Sequence, residues 1–299
     1  MVILLLLVVA GLIANKCGIM GGEFDRRLSN FVINISCPCL IMASVMGDRL
    51  PDRSMIAPLL CVGTATYVIL FIVAWLLPKT FVKRADTRGM YSFMLMFANV
   101  GFIGYPIVAS IFGKQAIFYA SLLNMPNTLF IFVAGTAFIL GGDGKLKFNY
   151  RTLYCPAMVA SYIAIAIVAT GWSDVPGVIS EPIHLIGDVT VPGALLVIGS
   201  SMAAMDRRHM FGSIPVYVMT FFRLLAIPVG LYFLFGALGV NSLVNRINTV
   251  VIGMPVASYG TMFCLKYGRD ETDMVQGTLI TTILSVVTIP LLTLLFQST

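Results

Sequence analysis

The sequence predicts an all-α membrane protein: ten transmembrane helices in a five-plus-five inverted repeat, with two broken crossover helices at spans four and nine. Three observations predict it. The 299 residues are 59% hydrophobic and only 11% charged, with a mean hydropathy of +0.95, whereas soluble domains carry about a quarter charged residues. Ten apolar segments approach the roughly 20 residues a helix needs to cross the hydrocarbon core. A Gly-rich stretch at 141–152 separates them five from five, and an odd number of spans makes the second half enter the membrane from the opposite face.

The segments follow in order. Segment 1–16 is short but precedes nine others, so it reads as a span and not as a signal-peptide core. Segment 29–47 carries Pro38, and 55–78 is uniformly apolar. Segment 89–112 contains Asn99, Gly101, Gly104 and Pro106, and 115–140 contains Pro126 flanked by Asn124 and Asn127. After 153–171, segment 182–204 holds Asp188, Pro192 and a run of small residues that includes Gly193, Gly199 and Ser200, suited to close helix approach. Segment 212–236 holds Arg223 and Pro228, 245–265 holds Gly253, Pro255, Ser258 and Gly260, and 274–296 closes the chain. The domains are therefore 1–140, a cytoplasmic linker at 141–152, and 153–299. Pro38 in span two pairs with Pro192 in span seven, and Pro106 in span four with Pro255 in span nine, each with similar neighbours.

The formal charge of +6 is topological and does not call for a nucleic-acid partner. Fourteen of the 19 basic residues lie in the odd-numbered loops, against Arg49, Arg53 and Lys114 in the even ones. The positive-inside rule makes the odd loops cytoplasmic and leaves both termini outside. Six scattered cysteines and two distant histidines, His184 and His209, form no metal-ligand spacing, and no cofactor is expected. Cys37-Pro38-Cys39 lacks the second pair of a four-ligand site and reads as two small apolar residues.

Chemistry is expected where the helices break. Pro removes an amide donor and Gly loosens the backbone, and irregular backbone at membrane depth is tolerated only inside protein or along a watery cavity. An ordinary proline kink is the alternative, and the pairing of spans four and nine favours a substrate site. Asn99, Gly101, Gly104, Pro106, Asn124, Asn127, Pro255, Ser258, Gly260 and Pro38 are its candidate residues. Asp188 and Arg223 are charges inside spans, where each costs about 2.5–3.5 kcal/mol to insert. They are read either as a structural ion pair or as a titrating carboxylate with an anion-holding guanidinium.

The stretch from Asn99 to Pro106 resembles the Asn-x-x-x-x-Gly-x-Pro crossover of the auxin efflux carrier family, which includes plant PIN proteins and bacterial organic-acid permeases. Pro255 to Tyr267, with Phe263 and Tyr267, resembles that family's second crossover. Asp188, Arg223 with Pro228, and Pro38 with Leu40 match it in order along nearly the whole chain. The resemblance implies a scaffold part and a transporter part, crossover helices meeting at the substrate site, a small organic anion as cargo, and a homodimer. By the same likeness Asn99 contacts the substrate, and Pro255 to Gly260 forms the opposite wall. Gly260 stands where plant members tend to carry a second Pro, which implies a softer second break. The short central loop favours the bacterial permease branch over auxin as cargo.

No nucleophile with its base, paired-Asp motif or His-Glu-x-x-His helix appears, and no phosphate-cradling loop, so the sequence does not read as an enzyme. The expected function is secondary active or facilitated transport of a carboxylate by alternating access in an inner (plasma) membrane, with a possible proton coupled through Asp188. A cation/proton antiporter of related architecture and a non-transporting membrane receptor are the rivals.

Overall fold

A computed structural model describes residues 2–46, 52–85, 87–140, 154, 156–172, 175–203, 213–257, 259–267, 269–270 and 272–296. These residues form helices and turns, with one isolated antiparallel bridge between Ala98 and Val256. The helices are α1 (Val2–Lys16), α2 (22–43), α3 (Ile56–Leu76), α4 (Arg88–Met96), α5 (Val100–Phe112), α6 (116–139) and α7 (Pro156–Thr170). They continue with α8 (Gly177–Asp188), α9 (Thr190–Ala203), α10 (Ile214–Ala237), α11 (Ser242–Ile252), α12 (Tyr259–Lys266) and α13 (Thr272–Leu295). A helix satisfies its own backbone polar groups, which apolar surroundings require. The expected linker at 141–152 lies outside the described residues.

Among the described residues, three helices are long and apolar enough to cross a membrane: Arg53–Phe81, Ile214–Ala237 and Thr272–Leu295. At 1.5 Å per residue the last two each extend about 36 Å, more than a bilayer core of about 30 Å. Other expected spans are divided into shorter pieces, of which Leu6–Lys16, Val100–Phe112 and Pro156–Thr170 are apolar.

Prolines explain much of the division. Of the four wide π-type turns among the described residues, Val32–Ser36, Val100–Gly104 and Phe222–Ala226 each end just before an X-Pro pair, Cys37-Pro38, Tyr105-Pro106 and Ile227-Pro228, whereas Ile131–Gly135 does not. The carbonyl that each proline ring would strike, on Asn34, Phe102 and Leu224, falls inside the wide turn. The extra residue moves that carbonyl aside, and the helix continues. This corrects the reading of Gly101 to Pro106 as the break in span four. That run is a widened turn of α5, and the extended break precedes it, at Phe97–Asn99. Pro106 is therefore helical where its sequence counterpart Pro255 is extended.

The chain divides into two compact units, each drawn from both halves of the sequence. Unit 1 comprises Met1–Leu60, Gly101–Met125 and Leu153–Met205. In it α1 and α9 touch backbone to backbone: a Cβ on Gly11 would strike the Leu196 carbonyl, and one on Gly199 the Val8 carbonyl. A buried polar cluster fixes this contact. Asn15 donates to Ser200 (2.9 Å), Ser200 donates to Asp25, and the Gly21 amide donates to the other Asp25 oxygen (3.0 Å). Ser36 bonds the Ile186 carbonyl (2.7 Å) and Thr190 (2.6 Å), tying α2 to the α8–α9 junction.

Because the Gly199 clash is with backbone, no rotamer relieves it. Gly199→Leu is expected to force α1 off α9 and cost about 3 kcal/mol or more. Gly230→Ala, at a helical site with nothing within 4 Å, is the matched control and is expected to be neutral or stabilising by up to about 1 kcal/mol. Melting temperatures of the two purified variants check this.

Unit 2 comprises Cys61–Val100, Pro126–Thr152 and Asp206–Thr299. Gly277 of α13 lies against Met94 and Met219, and Gly260 of α12 against Met274 and Phe93. Phe93 packs on Phe97 and Phe263 with ring centroids 4.8 and 5.9 Å apart. These contacts crowd the end of α4, where the backbone leaves the helix.

Candidate functional site

In unit 2 two helices break and the exposed backbones pair with each other. α4 ends at Met96 and α11 at Ile252. Pro255 disfavours helical geometry at Met254 before it, so the chain runs extended through Val256 and Ala257. The Asn99 amide donates to the Pro255 carbonyl (2.8 Å), and the Ala257 amide donates to the Phe97 carbonyl (3.0 Å). The Val256 amide donates to Thr281 Oγ1 (3.1 Å), and Thr281 donates onward to the Gly277 carbonyl (2.7 Å). Phe97, Ala98, Val256 and Ala257 are buried and Asn99 is half-buried. The Asn99, Val256 and Ala257 amides of the broken backbone are thus satisfied within the protein.

Arg223 stands beside this crossing in the sequence of contacts. Its Nη1 donates to the Leu95 carbonyl (3.1 Å), one of the orphan carbonyls at the end of α4, where a cation also suits the helix dipole. The residue is 0% exposed, and its Nε and Nη2 have no hydrogen-bond partner among the described residues. Unpaired donors on a buried cation are costly, and an anion is the group that would satisfy them. Asn127, also buried in unit 2, has an Oδ1 without a hydrogen-bond partner. Nearby in the fold of the same unit, Asn248 donates to Thr66 (3.0 Å), both buried between α11 and α3.

The other predicted residues are placed as follows. Gly260 serves helix packing, since its missing Cβ admits Met274 and Phe93. Ser258 lies outside the described residues. In unit 1, Pro38, Gly104 and Pro106 are buried, as is Asn124, and a Cβ at Gly101 would meet nothing within 4 Å. The Gly101 carbonyl accepts a long bond from Cys37 Sγ (3.5 Å).

Asp188 and Arg223, read in the sequence either as a structural ion pair or as a titrating carboxylate with an anion-holding guanidinium, each have a partner within their own unit. Asp188 ends α8 and meets Lys114 Nζ at 2.7 Å, with about half of both side chains exposed. The turn at Val189 that separates α8 from α9 brings Asp188 to the surface of unit 1, where Lys114 can reach it. The carboxylate is therefore not buried within the protein.

Sequence reasoning missed Leu95, Phe97 and Ala257, which act through backbone and so carry no side-chain signal. It also passed over Asn248 and Thr281. Their signal was available: Asn245, Asn248 and Thr249 at helical spacing, and Thr281 with Thr282, in otherwise apolar segments.

A family profile described as "Membrane transport protein" matches residues 1–149 and 145–293. An uncharacterized transporter of Methanocaldococcus jannaschii is 25% identical over 297 residues, covering 97% of this chain and 95% of the relative. An uncharacterized transporter of Methanothermobacter thermautotrophicus is 25% identical over 295 residues, covering 96% and 94%.

Proposed function

The chain belongs to the membrane transport protein family, and from that premise we propose that it is a secondary carrier of a small organic anion. The paired break in unit 2 supports this most directly: an extended crossing at Asn99 and Pro255, with a buried guanidinium bound to the last turn of α4. A carboxylate would be held by the Arg223 donors that have no partner among the described residues, with Asn99 beside it. Arginine suits that task because its planar fork matches a carboxylate in two places.

The carrier works by alternating access, one part rocking against another, through ten spans arranged as two inverted five-helix repeats at 1–140 and 153–299. Both termini face outward, the basic loops face the cytoplasm, and the protein resides as a homodimer in the plasma membrane. Transport in proteoliposomes tests the reading. Labelled small carboxylates should enter saturably, and Asn99→Ala should slow uptake at least tenfold while the melting temperature moves little, since only a half-buried amide is lost. Uptake of no carboxylate, with sodium or pH alone driving exchange, would replace it with the cation antiporter.

Proton coupling is assigned to Asp188, whose carboxylate is accessible and balanced by Lys114. Asp188→Asn should abolish stimulation of uptake by a pH gradient. Stability should change by no more than about 1 kcal/mol, the worth of an exposed pair. Full stimulation in the variant would place coupling elsewhere.

A further inference from the structure

A second polar site lies at one end of unit 2, away from the crossing. A cavity of about 520 Å³ is lined by Tyr232, Phe233, Gly236, Ala237, Asn245 and Arg246, among others, and by no carboxylate. It opens where two membrane-length helices stop: α10 at Ala237 and α13 at Leu295, with the Phe296 ring 5.6 Å from that of Tyr232. Helices of this length end at the water–lipid boundary, so the cavity sits at headgroup depth.

The charge at the cavity is uncompensated. Arg246 lies in the first turns of α11, where the helix dipole already favours an anion. Its Nε is buried and has no hydrogen-bond partner among the described residues. Its guanidinium carbon stands 6.0 Å from the Phe296 ring centroid, which orients the side chain but supplies no counter-charge. Phe233, Gly236 and Ala237 of α10 give the cavity an apolar wall, and Phe233 is 56% exposed. A fixed cation beside an apolar wall at the membrane boundary matches a ligand with an anionic head and a hydrocarbon body.

We propose that this cavity binds an anionic phospholipid, with the phosphate on Arg246 and the first part of the acyl chains against Phe233, Gly236 and Ala237. Purified protein in mild detergent would be titrated with dioctanoyl phosphatidylglycerol, with glycerol phosphate (the head alone) and with dioctanoyl glycerol (the body alone), reading the melting temperature. A saturable rise is expected with the phospholipid only. Its apparent affinity should fall roughly tenfold or more in Arg246→Gln, the worth of one charge-assisted hydrogen bond. Gly236→Leu should abolish it by filling the cavity; a Cβ there meets only Asn245 Nδ2, at 3.8 Å, and an unchanged melting temperature without lipid is the control for folding. An equal rise with glycerol phosphate would make the site one for free anions. An equal rise with dioctanoyl glycerol, no rise with the phospholipid, or an undiminished rise in both variants would overturn the proposal.

Discussion

Replacing Arg223 with Met is expected to leave the protein as stable as before or up to about 2 kcal/mol more stable, while carboxylate uptake is lost. The two effects have opposite signs for one reason. The guanidinium is fully buried and makes one hydrogen bond, to Leu95, while Nε and Nη2 make none among the described residues. Exchanging buried charge for a packed apolar side chain of similar length is often neutral or stabilising by about 1–4 kcal/mol. Against that stands the loss of one bond to a helix-end carbonyl, about 1–3 kcal/mol. A residue kept at such cost has a task that Met cannot perform, and the task assigned to it is holding an anion. Arg223→Lys, which keeps charge but not the planar fork, should retain partial uptake with weaker apparent affinity. Chemical or thermal denaturation together with proteoliposome uptake measures both. Wild-type transport by the Met variant would reduce Arg223 to a helix cap, and an unfolded Met variant would show that its bond to Leu95 outweighs the desolvation cost.

The second large effect is expected at Ala257. Proline there removes the amide that donates to the Phe97 carbonyl (3.0 Å), and at 2% exposure no water replaces it. An unsatisfied buried carbonyl costs about 1–3 kcal/mol, so one side of the crossing should open, with a lowered melting temperature and no uptake. Ala257→Val keeps the amide and is the comparison. It adds bulk at a buried position, yet it should retain more stability than the proline variant because the crossing stays paired. Equal loss in both would show that packing, and not the bridge, holds the two breaks together.

These variants separate what was legible in the sequence from what was not. Arg223 stood out because a charge inside an apolar segment is conspicuous whatever surrounds it. Pro255 was legible for a similar reason, since its effect on the residue before it is local. Pro106 misled, because whether a proline breaks a helix or is absorbed in a widened turn depends on room for a displaced carbonyl. Asp188 misled in the same way: its segment is apolar, but the turn after it carries the carboxylate to Lys114.

The sequence by itself determined that the chain is helical and suited to a membrane, since hydropathy and charge are sums over residues and need no folded partner. The motifs from Asn99 to Pro106 and from Pro255 to Tyr267 also carried the family, because short motifs survive intact in the linear order. Tertiary structure alone decided where span four breaks, which carbonyl Arg223 caps, and that Gly260 serves packing. Those facts depend on backbone groups brought together from distant positions, such as Phe97 with Ala257. A backbone amide is the same group at every residue other than proline, so its partner is fixed by the fold and leaves no mark in the sequence.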